Sequence, residues 1–147
     1  MVKMDFIEEE LYKKICISMP ILCVDVLLTF EGKFLLVKRN ESPLKNIFWV
    51  PGGRVFHKEK LKDALSRILR RETGVNLKET DNVTSIMGIT EMIFENSKLS
   101  NSTYHTPAII YLIKLKSRPT ISLDNTSSEF IWSDKIPELL QKNLIKV

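Results

Sequence analysis

Between Gly52 and Val75 the chain reads Gly-Gly-Arg-Val-Phe-His-Lys-Glu-Lys-Leu-Lys-Asp-Ala-Leu-Ser-Arg-Ile-Leu-Arg-Arg-Glu-Thr-Gly-Val, a tight loop feeding a helix. Two glycines behind Pro51 let the backbone turn sharply and approach a ligand closely. Leu61, Ala64, Leu65, Ile68 and Leu69 recur at spacings of three, four, seven and eight, the pattern of one helix face. Gly74 then predicts the C-terminal stop. At about 100° per residue, Glu72 falls only about 20° from Leu61 around that helix, so a carboxylate lies on the buried stripe. It also stands in the last turn, where the negative end of the helix dipole disfavours an anion. Such a group costs several kcal/mol unless a cation or strong donors meet it; a nearby arginine or a metal ion would each do so.

The spacing of Gly53, Glu59 after five intervening residues, Arg67 after seven more, then Glu72, Gly74 and Val75 resembles the Nudix box, a glycine, loop and helix signature for hydrolysing nucleoside diphosphates linked to another group. The resemblance implies an α/β (α+β) fold, a mixed β-sheet sandwiched between helices. The usual box carries glutamates at the positions of Glu72, Arg71 and Ile68, of which only Glu72 is kept here. That reduced form is similar to the GDP-mannose mannosyl hydrolases, a branch that uses one magnesium ion. The resemblance implies that the Gly52 carbonyl and Glu72 hold the metal. It makes Gly53, Glu59, Arg67 and Gly74 structural, Arg67 holding Glu59 by a charge-assisted hydrogen bond. At Arg71 a cation stands where the common box has a carboxylate, so like-charge repulsion limits the site to one ion.

The length of 147 residues predicts one domain over 1–147, with an N-terminal arm over 1–19. Twenty-two basic against eighteen acidic residues give a net charge of +4, which favours an anionic partner. The basic residues are scattered and carry no zinc-finger or RNA-recognition signature, which argues against nucleic acid. Glu8-Glu9-Glu10 stands where a signal peptide needs an apolar run, and Asp25 breaks the longest apolar stretch, so no membrane segment and a cytoplasmic protein are expected. Cys16 and Cys23 sit in apolar surroundings and read as inert thiols.

Residues 6–16 place Ile7, Leu11 and Ile15 at four-residue spacing, a short amphipathic helix. The segment is similar to the arm of the mannosyl hydrolases, which contacts the guanosine across a dimer interface. A homodimer, with Phe6, Ile7 and Tyr12 touching the base, is implied. After Pro20, two apolar runs joined at Glu31-Gly32 predict a hairpin. Alternation puts Ile21, Cys23, Asp25 and Leu27 on one face. An acid in such a strand needs donors or a cation, and the resemblance also places Asp25 at the active site. Arg39 ends the second strand and Arg54 follows the double glycine; guanidinium forks suit phosphate oxygens, and both match arginines of the family that contact the diphosphate. Residues 40–48 read as a polar loop and Val83–Phe94 as a strand with a bulge at Gly88. Residues 95–103 read as a polar loop, followed by a strand from Ala108. A terminal helix is expected from Ser133-Asp134, with Pro137 in its first turn.

The resemblance strains near the end of the chain. The family carries a glutamine as metal ligand and a histidine as general base before an aromatic-x-Trp strand end, and here Phe130-Ile131-Trp132 aligns them with Thr126 and Ser127. A serine hydroxyl has no pKa near neutrality, and a positioned base is worth roughly 10²–10⁴ in rate. His105, His57 and Glu129 stand as alternative bases, and another family histidine falls nearest Met92. The leading expectation is a magnesium-dependent hydrolase of a nucleoside diphosphate sugar, GDP-mannose or a related GDP-hexose, attacked by water at the anomeric carbon. The alternatives are phosphorus-oxygen cleavage of ADP-ribose or a nucleotide, and a nucleotide-binding domain with little catalysis.

Overall fold

A computed structural model describes residues 7–95 and 103–147. Its centre is one mixed eight-stranded sheet containing β1 (Cys23–Phe30), β2 (Lys33–Arg39), β3 (Phe48–Trp49), β4 (Gly52–Arg54), β5 (Asn82–Phe94), β6 (Tyr104–Leu115), β7 (Ser127–Ser133) and β8 (Leu144–Lys146). The main order is β3-β2-β1-β6-β5-β8, with β4 added to β1 and β7 to β2. Among the described residues three helices accompany it: α1 (Glu9–Ser18), α2 (Leu61–Thr73) and α3 (Glu138–Lys142).

The hairpin forms because Glu31 and Gly32 both adopt positive φ, 50° and 78°, a two-residue turn whose twist matches its strands. β1 then uses one edge for two partners. It pairs with β2 only at Thr29↔Phe34 and Phe30↔Lys33, and with β4 at Cys23↔Arg54, Val24↔Gly53 and Asp25↔Gly52. Its other edge runs parallel to β6 from Cys23↔Ala108 to Thr29↔Lys114.

α2 covers one face of the sheet, packing Ala64, Leu65, Ile68 and Leu69 against Val24, Val26, Leu28 and Ile113. It ends at Gly74, which takes φ 75° and whose N–H bonds to the Arg70 carbonyl. On the other face, Leu140 of α3 and Leu44 of the loop after β2 close over Leu27, Leu36, Trp49 and Ile110. The mixed sheet therefore lies between helices.

The structure alters several expected boundaries. α1 starts at Glu9, with the Glu8 carboxylate capping the Glu10 and Leu11 amides. Leu11 is exposed, and Cys16 rather than Leu11 is the buried residue of α1. The terminal helix begins at Glu138 with Pro137 as its N-cap; the Ser133 hydroxyl instead accepts from the Lys135 amide, 3.1 Å away. β6 begins four residues early, at Tyr104. Pro107 is tolerated because residues 104–107 pair with β5 but lie beyond the start of the β1 pairing at Ala108. Gly88 does mark a register shift against β6, and a side chain there would run into the Ile145 carbonyl. Among the described residues, no helix is long and apolar enough to cross a membrane.

Candidate active site

Where β2 and β4 part along β1, two adjoining chambers of about 310 and 320 Å³ open. They share Tyr12, Arg39, Glu41, Gly52 and Arg54. The outer one adds Asp25, Trp49, Thr90, Met92, Tyr104, Thr106 and Ala108 among its walls. The inner one adds Phe56, Arg71, Glu72 and Thr126.

Glu72 is 7% exposed, and its Oε2 accepts from the Gly52 N–H at 3.0 Å. Arg71 Nη2 lies 3.7 Å from the other oxygen. Burial pushes the Glu72 pKa up to about 7; the Gly52 N–H, Arg71 and Arg39 pull it down, and Asp124 adds to the rise. Both of the cations and donors anticipated for this carboxylate are thus present in the protein itself.

Gly52 is packed so closely on Asp25 that a Cβ would overlap the Asp25 carboxylate. A Cβ on Gly53 would stand 3.2 Å from Arg71 Nη2 and 3.4 Å from Ile68. Asp25 opens onto the outer chamber, yet the protein packed around it raises its pKa to about 7, against the pull of Arg39 and a hydrogen bond from the Trp49 indole. Cys23 beside it is pushed up to about 12, by burial first and then by Asp25, so this free thiol is unreactive near neutrality. Burial likewise raises the Tyr12 phenol, with Cys16 adding to the effect.

Arg39 is held by the loop that follows it, its Nε donating to the Pro43 carbonyl at 2.8 Å. Arg54 lies over the Phe56 ring, 4.7 Å from its centroid. Beneath them, Arg67 Nε meets Glu59 Oε2 at 2.7 Å, and Nη2 reaches Glu59 Oε1 at 2.9 Å and the Arg54 carbonyl at 2.8 Å. The Phe56 N–H donates to the same Glu59 carboxylate, and the Arg67 guanidinium stacks on Phe56 at 3.6 Å. The Arg67 hydrogen bond, foremost, holds Glu59 below the usual carboxylate range. The box loop is therefore closed by a fork between its own residue and the helix.

Other expected site residues are placed elsewhere. His105 lies within β6 and Nε2 stands 3.2 Å from Glu91 Oε2; its neighbours Tyr104 and Thr106 line the outer chamber, and strand alternation sends His105 to the opposite face. Glu129 lies in β7, exposed, 3.2 Å from Lys38 Nζ, rather than on a loop at the cleft. His57 is exposed in the turn before α2. Ile7 precedes α1 and does not line either chamber; Phe6 lies outside the described residues. Ser127 is buried in β7, whereas Thr126 borders the inner chamber. Sequence reasoning missed Glu41, Thr90, Tyr104 and Thr106. The signal for the last three was strand alternation, legible only once the β5–β6 register is known.

A model of the NUDIX domain matches residues 19–134. The chain belongs to the Nudix family. This Nudix chain is 36% identical over 121 residues to an ADP-ribose pyrophosphatase of Methanocaldococcus jannaschii, covering 82% of the chain and 66% of that protein. It is 33% identical over 91 residues to the low-salt glycan biosynthesis protein Agl8 of Haloferax volcanii, covering 62% of the chain and 56% of that protein. Among solved structures, a MutT protein from Methanosarcina mazei superposes with a TM-score of 0.62 at 25% identity, over 79% of this chain and 78% of that one. The Nudix chain thus spans between half and two thirds of the length of the two sequence relatives.

Nudix hydrolases generally use a divalent metal, and the donor set here restricts how one would be held. Among the described residues, no group of three or more His, Cys, Asp or Glu side chains could hold an ion. A magnesium-type ion keeps several waters and binds through one or two carboxylates plus substrate phosphates. Glu72, one oxygen bonded to the Gly52 N–H and the carboxylate on the chamber wall, fits one such ion when substrate and water complete its shell; the residues do not fit a protein-built cage for several ions.

Proposed function

We propose that this chain is a divalent-metal-dependent Nudix hydrolase of a nucleoside diphosphate sugar, with GDP-mannose or a related GDP-hexose as the leading substrate. Water adds to the anomeric carbon, the carbon-oxygen bond breaks, and the nucleoside diphosphate leaves. The observation that carries this reading is the convergence of Arg39 and Arg54 with the single helix carboxylate Glu72 on one cleft. Such a site is suited to stabilising charge on a departing diphosphate.

Glu72 and the Gly52 carbonyl would hold the ion, which when bound, magnesium being the expected one, supplies further positive charge against the leaving group. Arg39 and Arg54 hold the diphosphate oxygens in the inner chamber. Asp25, Tyr104 and Thr106 line the outer chamber, where an organic group joined to the diphosphate fits. There Asp25 accepts a hydrogen bond from a sugar hydroxyl or from the attacking water. His105, His57 and Glu129 line neither chamber, so Asp25 takes the place of the base. The exposed Leu11, Ile17 and Met19 on and just beyond α1 support a working homodimer. A cytoplasmic setting without nucleic-acid or membrane partners completes the proposal.

A second reading is favoured by the similarity to an ADP-ribose pyrophosphatase: cleavage of a phosphorus-oxygen bond in ADP-ribose. Turnover in oxygen-18 water separates the two. Label in the released sugar supports carbon attack; label in the phosphate overturns it in favour of the pyrophosphatase. A third, nucleotide binding with little catalysis, is favoured by Thr126 and Ser127 standing in place of a glutamine and a histidine. Nucleotide binding without turnover of any sugar nucleotide between about pH 6 and 10 would establish it.

A further inference from the structure

Arg71, on the box helix, has no part in the chemistry proposed for the cleft, yet its position is specific. It shares the last turn of α2 with Arg70, where either cation is favoured by the helix dipole. Only Arg71 lines the inner chamber. Its Nη2 stands 3.7 Å from Glu72 Oε1, beyond hydrogen-bond reach, so the two make a charge contact rather than a closed pair. The same nitrogen lies against Gly53, where a Cβ would come within 3.2 Å. The Arg71 side chain is 44% exposed while that of Glu72 is 9% exposed, so the guanidinium sits at the water-facing side of the buried carboxylate. With Arg39 and Arg54 it gives the chamber three guanidinium groups against the carboxylates of Glu41 and Glu72.

We propose that Arg71 is a diphosphate-binding residue, a fixed cation at the box helix that lets this site grip a nucleoside diphosphate without a metal ion. The inference rests on the reading of the cleft as a nucleoside diphosphate site and deepens it. A guanidinium offers planar paired donors to phosphate oxygens and keeps its charge at any ordinary pH. Placed between Gly53 and Glu72, it neutralises the helix carboxylate and faces the anion at once. Metal is then needed for turnover and not for binding.

The test is isothermal titration of the full chain with GDP, GDP-mannose, ADP and ADP-ribose, each in EDTA and in magnesium, for wild type, Arg71→Ala, Arg71→Lys, Arg71→Glu and Arg70→Ala. Thermal melting confirms that each variant is folded. Wild type is expected to bind at least one probe in EDTA within about tenfold of its affinity in magnesium, and Arg71→Ala to lose about tenfold or more in EDTA. Arg71→Lys should recover part of that loss, and Arg70→Ala, which changes the same dipole, should leave affinity unchanged. Arg71→Glu puts a second carboxylate beside Glu72 and should bind only when a divalent ion is present. Binding that needs magnesium in the wild type, or equal effects of the Arg70 and Arg71 variants, overturns the role of Arg71 while leaving the cleft assignment standing. No binding of any probe in either condition overturns both.

Discussion

The backbone N–H of Gly52 donates to Glu72 Oε2 at 3.0 Å across twenty residues of chain, fastening β4 to the last turn of α2. This bond both satisfies a buried carboxylate and presents it to the inner chamber. Glu72→Gln keeps an acceptor for the Gly52 N–H and removes the charge. Metal-dependent turnover should fall by about 10²–10³, with the melting temperature unchanged or higher because a neutral group suits the burial better. Steady-state assays and thermal melts check this, and undiminished turnover would remove Glu72 from the site.

Gly52→Ala tests the neighbouring contact. The added methyl would overlap the Asp25 carboxylate and stand 3.1 Å from the Val24 carbonyl, so β1 and β4 must separate. A destabilisation of about 1–3 kcal/mol is expected, together with loss of turnover; denaturant unfolding at fixed temperature measures the first.

Asp25 should trade stability for function. Its pKa rises from 3.8 in its ordinary state to about 7 in the fold, chiefly through burial. Between those values the native state binds more protons than the unfolded chain, so stability falls as pH rises through this window. Asp25→Asn should therefore melt above wild type by a few degrees at pH 8 and by less at pH 5, while its turnover drops. A stabilisation that grows toward acid pH would contradict the assignment.

The Glu59–Arg67 fork has the opposite sign. Its carboxyl is held below the usual range, first by Arg67, so the stability it provides is complete above the ordinary glutamate pKa and is lost as pH falls through the lowered one. Glu59→Gln should cost about 1–3 kcal/mol near pH 7, and the gap from wild type should close in strong acid. Urea unfolding at a series of pH values follows both.

What could be read from the sequence was local. The apolar spacing of Leu61 to Leu69 and the left-handed Gly74 define α2 without reference to anything distant, and Glu31-Gly32 defines the hairpin in the same way. Pairing that depends on distant strands was not legible. A strand beginning at Ala108 left His105 free to serve the cleft; the pairing of Tyr104 to Pro107 with β5 turns that histidine toward Glu91 and brings Tyr104 and Thr106 inward. Glu129 is likewise taken up by β7 and Lys38 because β7 joins the edge of β2. Arg71 read as the absence of a metal ligand, and its place against Gly53 is visible only in three dimensions.

Hydrolysis of a nucleoside diphosphate sugar is the activity proposed for this cleft. Phosphate release from GDP-hexoses, ADP-ribose and simple nucleotides, with and without magnesium and with and without added phosphatase, tests it most directly. Magnesium-dependent turnover of GDP-hexoses that yields phosphate only when phosphatase is present is the expected result. Silence across the whole panel, with the protein folded and magnesium supplied, would contradict it.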